Sequence, residues 1–388
     1  MFDSEKKHKI VLNSDFVEGD MRFCIADGQE CYFIKQDTRG KKSKFWIQDN
    51  TGRNRYLLKY ESRKNESLEN VGQFLMCGVL DQLDVPYAEY LVVDFLKDGK
   101  SYDAIMSKNY REKVDEVEIS GFVLNSKNRD RLYDNAEGVI ADHHHNVDFY
   151  METMKLLYSK NEVDFDQIRN QLVKYALLQY VYVMSDLHFY NLSFSYREKY
   201  GHKSLKVNPF YDCGNICTLN LSTRKVKNNA EQFRRTGKKK AFVENLIYKK
   251  MPMFGIKSDL CKIFREPRGE MLICRPICDE YVDKEKIPVA KECLERLRHE
   301  LACEIIENPE IEMFYNMIRY KVDLDAVAKK YNGIAEGTIP DYCLELVKGI
   351  SEVNITELDK VVLTERKKRI AEEMAEKTTE TDEILIKK

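Results

Sequence analysis

The stretch richest in chemistry reads Ser185-Asp186-Leu187-His188-Phe189-Tyr190-Asn191-Leu192-Ser193-Phe194. Its Asp-x-His-x-x-Asn spacing sets a carboxylate and a carboxamide on one tight loop, and the alternation of Leu192 and Phe194 predicts a short strand after it. Twenty-six residues past Asp186 a second carboxylate, Asp212, stands in Asn208-Pro209-Phe210-Tyr211-Asp212-Cys213-Gly214-Asn215. Phosphoryl transfer from ATP uses this set: one carboxylate orients or deprotonates the attacking hydroxyl, while an amide and a second carboxylate hold Mg2+ against phosphate oxygens. Such catalysis is positioning plus charge stabilisation, so hard oxygen ligands matter more than nucleophiles. Gly214 is expected to permit the backbone turn that aims Asp212.

Upstream residues supply matching cations. Lys59 lies inside Arg55-Tyr56-Leu57-Leu58-Lys59-Tyr60, a strand-like run in which period two puts Leu57 on the same face. Its stem is then buried while its ammonium reaches phosphates. The following helix carries Glu66 and Glu69 at its start; Glu69 is the preferred ion-pair partner for Lys59, with Glu66 open. Before the strand, residues 37–46 are expected to form the turn that covers phosphates, contributing Gly40, Lys42, Ser43 and Lys44. His188 belongs to the same nucleotide site and is read as a hydrogen-bonded brace of its loop.

The elements that must position these groups are legible in outline. Ala88 to Phe95 and Tyr102 to Ser107 read as strands joined at Asp98-Gly99, a strong two-residue hairpin signal. Between the Lys59 strand and that hairpin, apolar spacing predicts a helix over 67–83. After about residue 111 the pattern turns helical: Ile168, Leu172, Ala176, Tyr180 and Met184 recur every fourth residue. Pro288 opens another helix, with Leu294, Leu297, Leu301 and Ile305 on one face. The segment from 366 to 388 is charged and is expected to be a solvated helix that frays into a tail.

Composition bounds the class. Lys plus Arg total 63 against 65 Asp plus Glu, a net charge of −2, which disfavours a dedicated nucleic-acid binder. With 43% hydrophobic residues, 23 Tyr and 18 Phe, the chain can fill a sizeable core. No apolar run reaches the ~18 residues of a membrane span, and the start lacks a signal-peptide pattern. Eleven cysteines read as reduced thiols of a cytoplasmic protein, with secretion as an effector left open.

Taken in order, Leu57-Leu58-Lys59, Ser107-Lys108-Asn109-Tyr110-Arg111, Asp186-Leu187-His188-Phe189-Tyr190-Asn191 and Pro209-Phe210-Tyr211-Asp212 resemble the HipA-like serine/threonine kinases of bacteria, which comprise HipA-type toxins and CtkA-like secreted kinases. The resemblance implies an α+β, bilobal, protein-kinase-like fold related to the phosphoinositide kinases. Its small β-rich N-lobe would span 1–108 and its larger helical C-lobe 109–388. It implies ATP and Mg2+ as cofactors, Asp186 as catalytic base, Asn191 and Asp212 as Mg2+ ligands, Lys59 on the α- and β-phosphates, and adenine against a Met106-Ser107-Lys108 hinge. The expected substrate is a protein hydroxyl, on an aminoacyl-tRNA synthetase by likeness to the toxins or on a host protein by likeness to the secreted members. An antitoxin is the further partner implied. The sequence departs from the family at Tyr190, where many members carry Lys, and it lacks a clear Ser-x-x-Gly phosphate loop, which leaves Ser43 as the candidate for self-modification. A phosphoinositide-type lipid kinase, a nucleotide-binding pseudokinase and an adenylyl-transferring enzyme are the rival readings.

Other motifs carry blander expectations. His143-His144-His145 reads as a solvated loop, and the Cys213/Cys217 and Cys274/Cys278 pairs as buried thiols. Eight basic residues between Arg224 and Lys240 face one acid, Glu231, and read as a mobile loop. The rival reading for that stretch is an activation segment that receives acidic substrate, with Thr236 as a phosphosite.

Overall fold

A computed structural model describes residues 2–18, 21–34, 43–52, 54–60, 68–109, 117–120, 164–184, 193–199, 202–250 and 287–386. Its N-terminal part is a sheet of eight strands: β1 (His8–Leu12), β2 (Val17–Glu18), β3 (Met21–Ala26), β4 (Gln29–Ile34), β5 (Ser43–Gln48), β6 (Arg55–Tyr60), β7 (Tyr90–Lys97) and β8 (Lys100–Lys108). β1 pairs in parallel with β7 and antiparallel with β3, so the order β1-β7-β8-β6-β5-β4-β3 returns on itself and β2 extends from β3. The expected β-rich lobe is thus a closed seven-strand barrel rather than an open sheet. Closure removes the exposed edges that an open sheet presents.

Period-two alternation divides this barrel into two faces. Leu58, Leu91, Val93, Ala104, Met106 and Phe95 point inward and form a core of their own. Lys59, Tyr90, Val92 and Ile105 point outward, where α1 (Glu69–Gln82) covers them. The hairpin between β7 and β8 turns at Asp98 (φ +48°) and Gly99 (φ +75°), the left-handed pair that a two-residue hairpin requires.

The remaining described elements are α2 (Phe165–Tyr182), a small sheet of β9 (Val117–Ser120), β10 (Ser193–Lys199) and β11 (His202–Val207), then α3 (Thr223–Arg235), α4 (Lys239–Lys250), α5 (Ile287–Glu307), α6 (Pro309–Tyr320), α7 (Leu324–Ile334) and α8 (Asp341–Ile386). Asp164 caps α2, its carboxylate accepting from the Gln167 amide, and Asn308 and Asp323 cap α6 and α7 in the same manner. The apolar stripe of α2 is buried from Ile168 to Met184, and Leu294, Leu297, Leu301 and Ile305 of α5 are each at most 5% exposed. One core runs continuously from α1 and the outer face of β7 and β8 into α2, α5, α6, α7 and α8. The barrel is therefore bound to the helical part through α1. At its far end, Gln82 donates to the Asp323 carbonyl and accepts from the Asp323 amide, while Phe74 packs on Tyr331 with ring centroids 4.9 Å apart.

The basic stretch 224–240 corrects the sequence expectation. It is not a loop but most of α3 and the start of α4, with Val226, Ala230 and Phe233 buried at helical spacing and the charges turned outward. Thr236 is the residue that ends α3. Cys213 and Cys217 are free buried thiols. His143, His144, His145, Cys274 and Cys278 lie outside the described residues. Among the described residues, no helix is long and apolar enough to cross a membrane.

Candidate phosphate-binding site

The site is built on the outer face of the barrel, where three chain segments meet. Lys59 sits mid-strand in β6 between Lys44 of β5 and Ile105 of β8, and is 6% exposed. Its Nζ lies 2.6 Å from Asp212 Oδ1 and 5.7 Å from the centre of the Tyr90 ring. Burial works against the Lys59 charge, but Asp212, with smaller help from Tyr90 and Glu69, outweighs it and holds the lysine well above its ordinary range.

Asp212 reaches this place because both ends of its segment are pinned. On one side Phe210 accepts from the Ala88 amide at 2.6 Å and donates to the Pro86 carbonyl at 2.9 Å, just ahead of β7. On the other, the Leu219 carbonyl accepts from the Leu68 amide at the start of α1 at 2.8 Å. In between, the Asp212 amide donates to the Tyr90 hydroxyl at 3.2 Å, and Gln73 donates to Cys213 Sγ at 2.9 Å. Burial pushes the Tyr90 hydroxyl up, so it stays neutral beside the carboxylate.

Two glycines set the distance between α1 and this segment. A β-carbon at Gly72 would fall 2.0 Å from the Gly214 carbonyl oxygen, and one at Gly214 would fall 2.4 Å from the Glu69 carbonyl oxygen. The positive φ of the turn belongs to Asp212 itself, at +56°. Gly214 is required for the close approach to the helix and not, as the sequence suggests, for the turn. Glu69 opens α1 beside it and acts on both Lys59 and Lys44 through its charge, while the ion pair to Lys59 is made by Asp212.

Lys44, the cross-strand partner of Lys59, completes a pair of ammonium groups on this face. Burial first, then repulsion from Lys59, lowers its pKa from the usual 10.5. Ser43 is one residue out of phase, in step with the inward-facing Phe45 and Ile47, so alternation turns it away from the lysines. The three expected hinge residues differ in exposure. Met106 is fully buried inside the barrel, Ser107 is buried on the outer face opposite Leu57 and Tyr90, and Lys108 is exposed at the strand end. Gly40, Lys42, Glu66, Asp186, His188, Tyr190 and Asn191 lie outside the described residues.

The end of α2, three residues before Ser185, is tied directly to the Asp212 segment. Cys217 donates its amide to the Tyr182 and Val183 carbonyls, at 3.1 and 3.3 Å, and its thiol to Tyr182 at 3.2 Å. Val183 takes the left-handed conformation (φ +51°) that ends the helix. From behind, Asn354 of α8 donates to the Tyr180 and Val181 carbonyls at 3.0 and 3.2 Å. Tyr180 donates its hydroxyl to the Asn354 carbonyl and accepts from Arg298, which also pairs with Glu244. Sequence reading misses Gly72, Tyr90, Cys217 and Asn354. Only Gly72 carries a signal, as an isolated glycine inside a helical pattern.

The donor set suits a polyphosphate with a divalent cation. Two neighbouring ammonium groups, one already repelled by the other, favour an anion, and Asp212 offers a hard oxygen at their edge. Among the described residues no group of three His, Cys, Asp or Glu converges on one point. Mg2+ does not need one, since it keeps several waters and takes one or two carboxylates plus substrate phosphates. No family model matches the chain, and no curated protein matches it. Among solved structures it is similar to a Helicobacter pylori proinflammatory kinase, CtkA, at 12% identity and a TM-score of 0.44, covering 85% of this chain and 96% of that one.

Proposed function

We propose that this chain is an ATP-dependent serine/threonine protein kinase of HipA-like type, in two parts divided at 108/109. The observation that carries the reading is the 2.6 Å pair between Lys59 and Asp212, two residues 153 positions apart in sequence, at the start of α1. In this reading the Lys59 and Lys44 ammonium groups bind and orient the phosphates, and Asp212 with Asn191 holds Mg2+. Bound there, the cation would neutralise charge developing on the transferred group. Asp186, which follows Met184 by two residues, accepts the proton of the attacking hydroxyl. Tyr90 keeps the Asp212 backbone in place, and the contact of Gly72 with Gly214 keeps α1 and Glu69 against it.

Tyr190 favours a second reading, a nucleotide-binding pseudokinase, because it removes a cation from beside the γ-phosphate where the family often has Lys. One experiment separates the readings. The purified chain is incubated with Mg2+ and ATP labelled in the γ or α position, with protein and phosphoinositide substrates side by side. The proposal expects γ-label on Ser or Thr of protein. Label confined to lipid, AMP added to protein, or nucleotide binding without transfer would each replace it with the corresponding rival.

A further inference from the structure

Among the described residues seven cysteines are free, and the sheet register sets two of them directly opposite each other, Cys24 of β3 and Cys31 of β4. Directly opposed residues of an antiparallel pair point to the same face. Here that face is the barrel interior: both thiols belong to its core, at 0% and 4% exposure. Opposed α-carbons lie about 4.5 or about 5.5 Å apart, depending on whether the pair exchanges hydrogen bonds. Both separations fall within the roughly 4.4–6.8 Å that a disulfide spans. The hairpin that carries the two cysteines is firmly held. Its two-residue turn has the left-handed pair Asp27 (φ +49°) and Gly28 (φ +79°). Asp27 accepts from the Lys9 amide at 2.8 Å and lies 2.6 Å from His8 Nδ1, both on β1.

The surroundings decide how such a bond is reached. Burial, and then the neighbouring Cys31, pushes the Cys24 thiol up to about 12, and burial raises Cys31 as well. Both therefore stay protonated and unreactive while the barrel is closed. Yet the barrel closes beside them through two residue pairs, Ile10 with Ala26 and Val11 with Ile25, and Cys24 is the next residue along β3. β7 and β8, by comparison, share eight. So short a seam opens more readily than the rest of the barrel, and its opening uncovers the interior at Cys24.

We infer that Cys24 and Cys31 are a reversible dithiol–disulfide pair, oxidised by exchange with a small disulfide when the seam between β1 and β3 opens. Cys31, the less buried of the two, loses its proton and its sulfur attacks glutathione disulfide. That S–S bond breaks, and one glutathione leaves as a thiolate that takes up a proton. Cys24 loses its proton in turn and attacks the Cys31 sulfur of the mixed disulfide, forming the Cys24–Cys31 bond and releasing the second glutathione. The chain gives up two electrons and two protons, and the reagent becomes two thiols. None of this depends on the nucleotide site.

The full chain, kept folded in mixtures of reduced and oxidised glutathione with urea below its unfolding transition, is quenched in acid, alkylated in denaturant and digested. The tryptic peptide 23–35, which carries both cysteines, is expected two hydrogens lighter and unalkylated, and to revert with dithiothreitol. The bond is expected to form faster as urea rises. Its equilibrium ratio to the dithiol should follow oxidised glutathione over the square of reduced glutathione, as an intramolecular bond requires. The oxidised chain is expected to melt a few degrees higher, because the bond restricts the unfolded chain. Both cysteines still alkylated at every urea concentration would overturn the inference. So would a bond from either to another cysteine, glutathione retained on Cys31 in place of the bond, or an oxidised chain that melts no higher than the reduced one.

Discussion

The Gly214 carbonyl oxygen occupies the space where any residue but glycine at position 72 would carry its β-carbon, 2.0 Å away. Helix and Asp212 segment thus touch backbone to backbone, and the position of Asp212 relative to Lys59 depends on that contact. Gly72→Ala must push the two apart. Overpacking of this kind costs about 1–3 kcal/mol, so a fall of several degrees in Tm is expected, together with a larger proportional loss of nucleotide affinity. Thermal melts with and without ATP and Mg2+ check both. A variant that melts lower but binds ATP as before would detach the contact from the site.

The Lys59–Asp212 pair predicts a non-additive pair of substitutions. Asp212→Ala leaves an ammonium buried without its carboxylate, which typically costs about 3–5 kcal/mol. Lys59→Met in the same chain removes the stranded charge, so the double variant is expected to be more stable than Asp212→Ala alone. Both are expected to be inactive. Urea unfolding beside a phosphoryl-transfer assay gives the comparison; equal stability of the single and double variants would mean that the pair is solvated.

Lys44 predicts a pH dependence. Its pKa is lowered in the folded chain, by burial and by Lys59, relative to the 10.5 of an ordinary lysine. Charging Lys44 therefore opposes folding. The penalty is complete below its folded pKa and fades as pH rises from there towards 10.5. Lys44→Met is expected to stabilise the ligand-free chain at neutral pH and less so under alkaline conditions. A polyphosphate between the two ammonium groups reverses the balance, so ATP binding at alkaline pH should take up protons. Calorimetry in two buffers of different ionisation enthalpy measures that uptake, and Lys44→Met should abolish it.

Much of this site is legible in the amino-acid sequence. The Lys59 strand is found from Arg55 to Tyr60 as its alternation requires, the Asp98-Gly99 hairpin turns where expected, and α1 begins at Glu69. These are local patterns. Barrel closure is not legible, because the pairing of β1 with β7 and β3 joins segments whose own sequences give no register for distant partners. Residues 224–240 mislead in another way: charge count dominates the reading, although Val226, Ala230 and Phe233 have helical spacing. Asn354 cannot be found from sequence at all, since a lone asparagine on a helix does not disclose which carbonyls it meets across the core.

That asparagine gives a further prediction. Asn354→Leu removes both donors to the Tyr180 and Val181 carbonyls at the end of α2, leaving buried acceptors unpaired at a cost of about 1–3 kcal/mol. Lys59 and Asp212 are untouched by the change. On the proposed reading the expected result is a fall in the rate of phosphoryl transfer with ATP affinity retained, because α2 leads in sequence into Asp186 and not into Lys44 or Lys59. Separate measurement of kcat and ATP dissociation constant decides it; an equal loss in both would make Asn354 a general stabiliser only.

The most direct test of the Lys59–Asp212 site is the Mg2+ dependence of ATP binding to the unmodified chain, Asp212→Ala and Lys59→Met, measured by titration calorimetry with folding checked in parallel. The unmodified chain is expected to bind tightly only with Mg2+, Asp212→Ala to lose the Mg2+ effect, and Lys59→Met to bind weakly under both conditions. Unchanged affinity and unchanged Mg2+ dependence in both folded variants would contradict the assignment of this pair to nucleotide and metal.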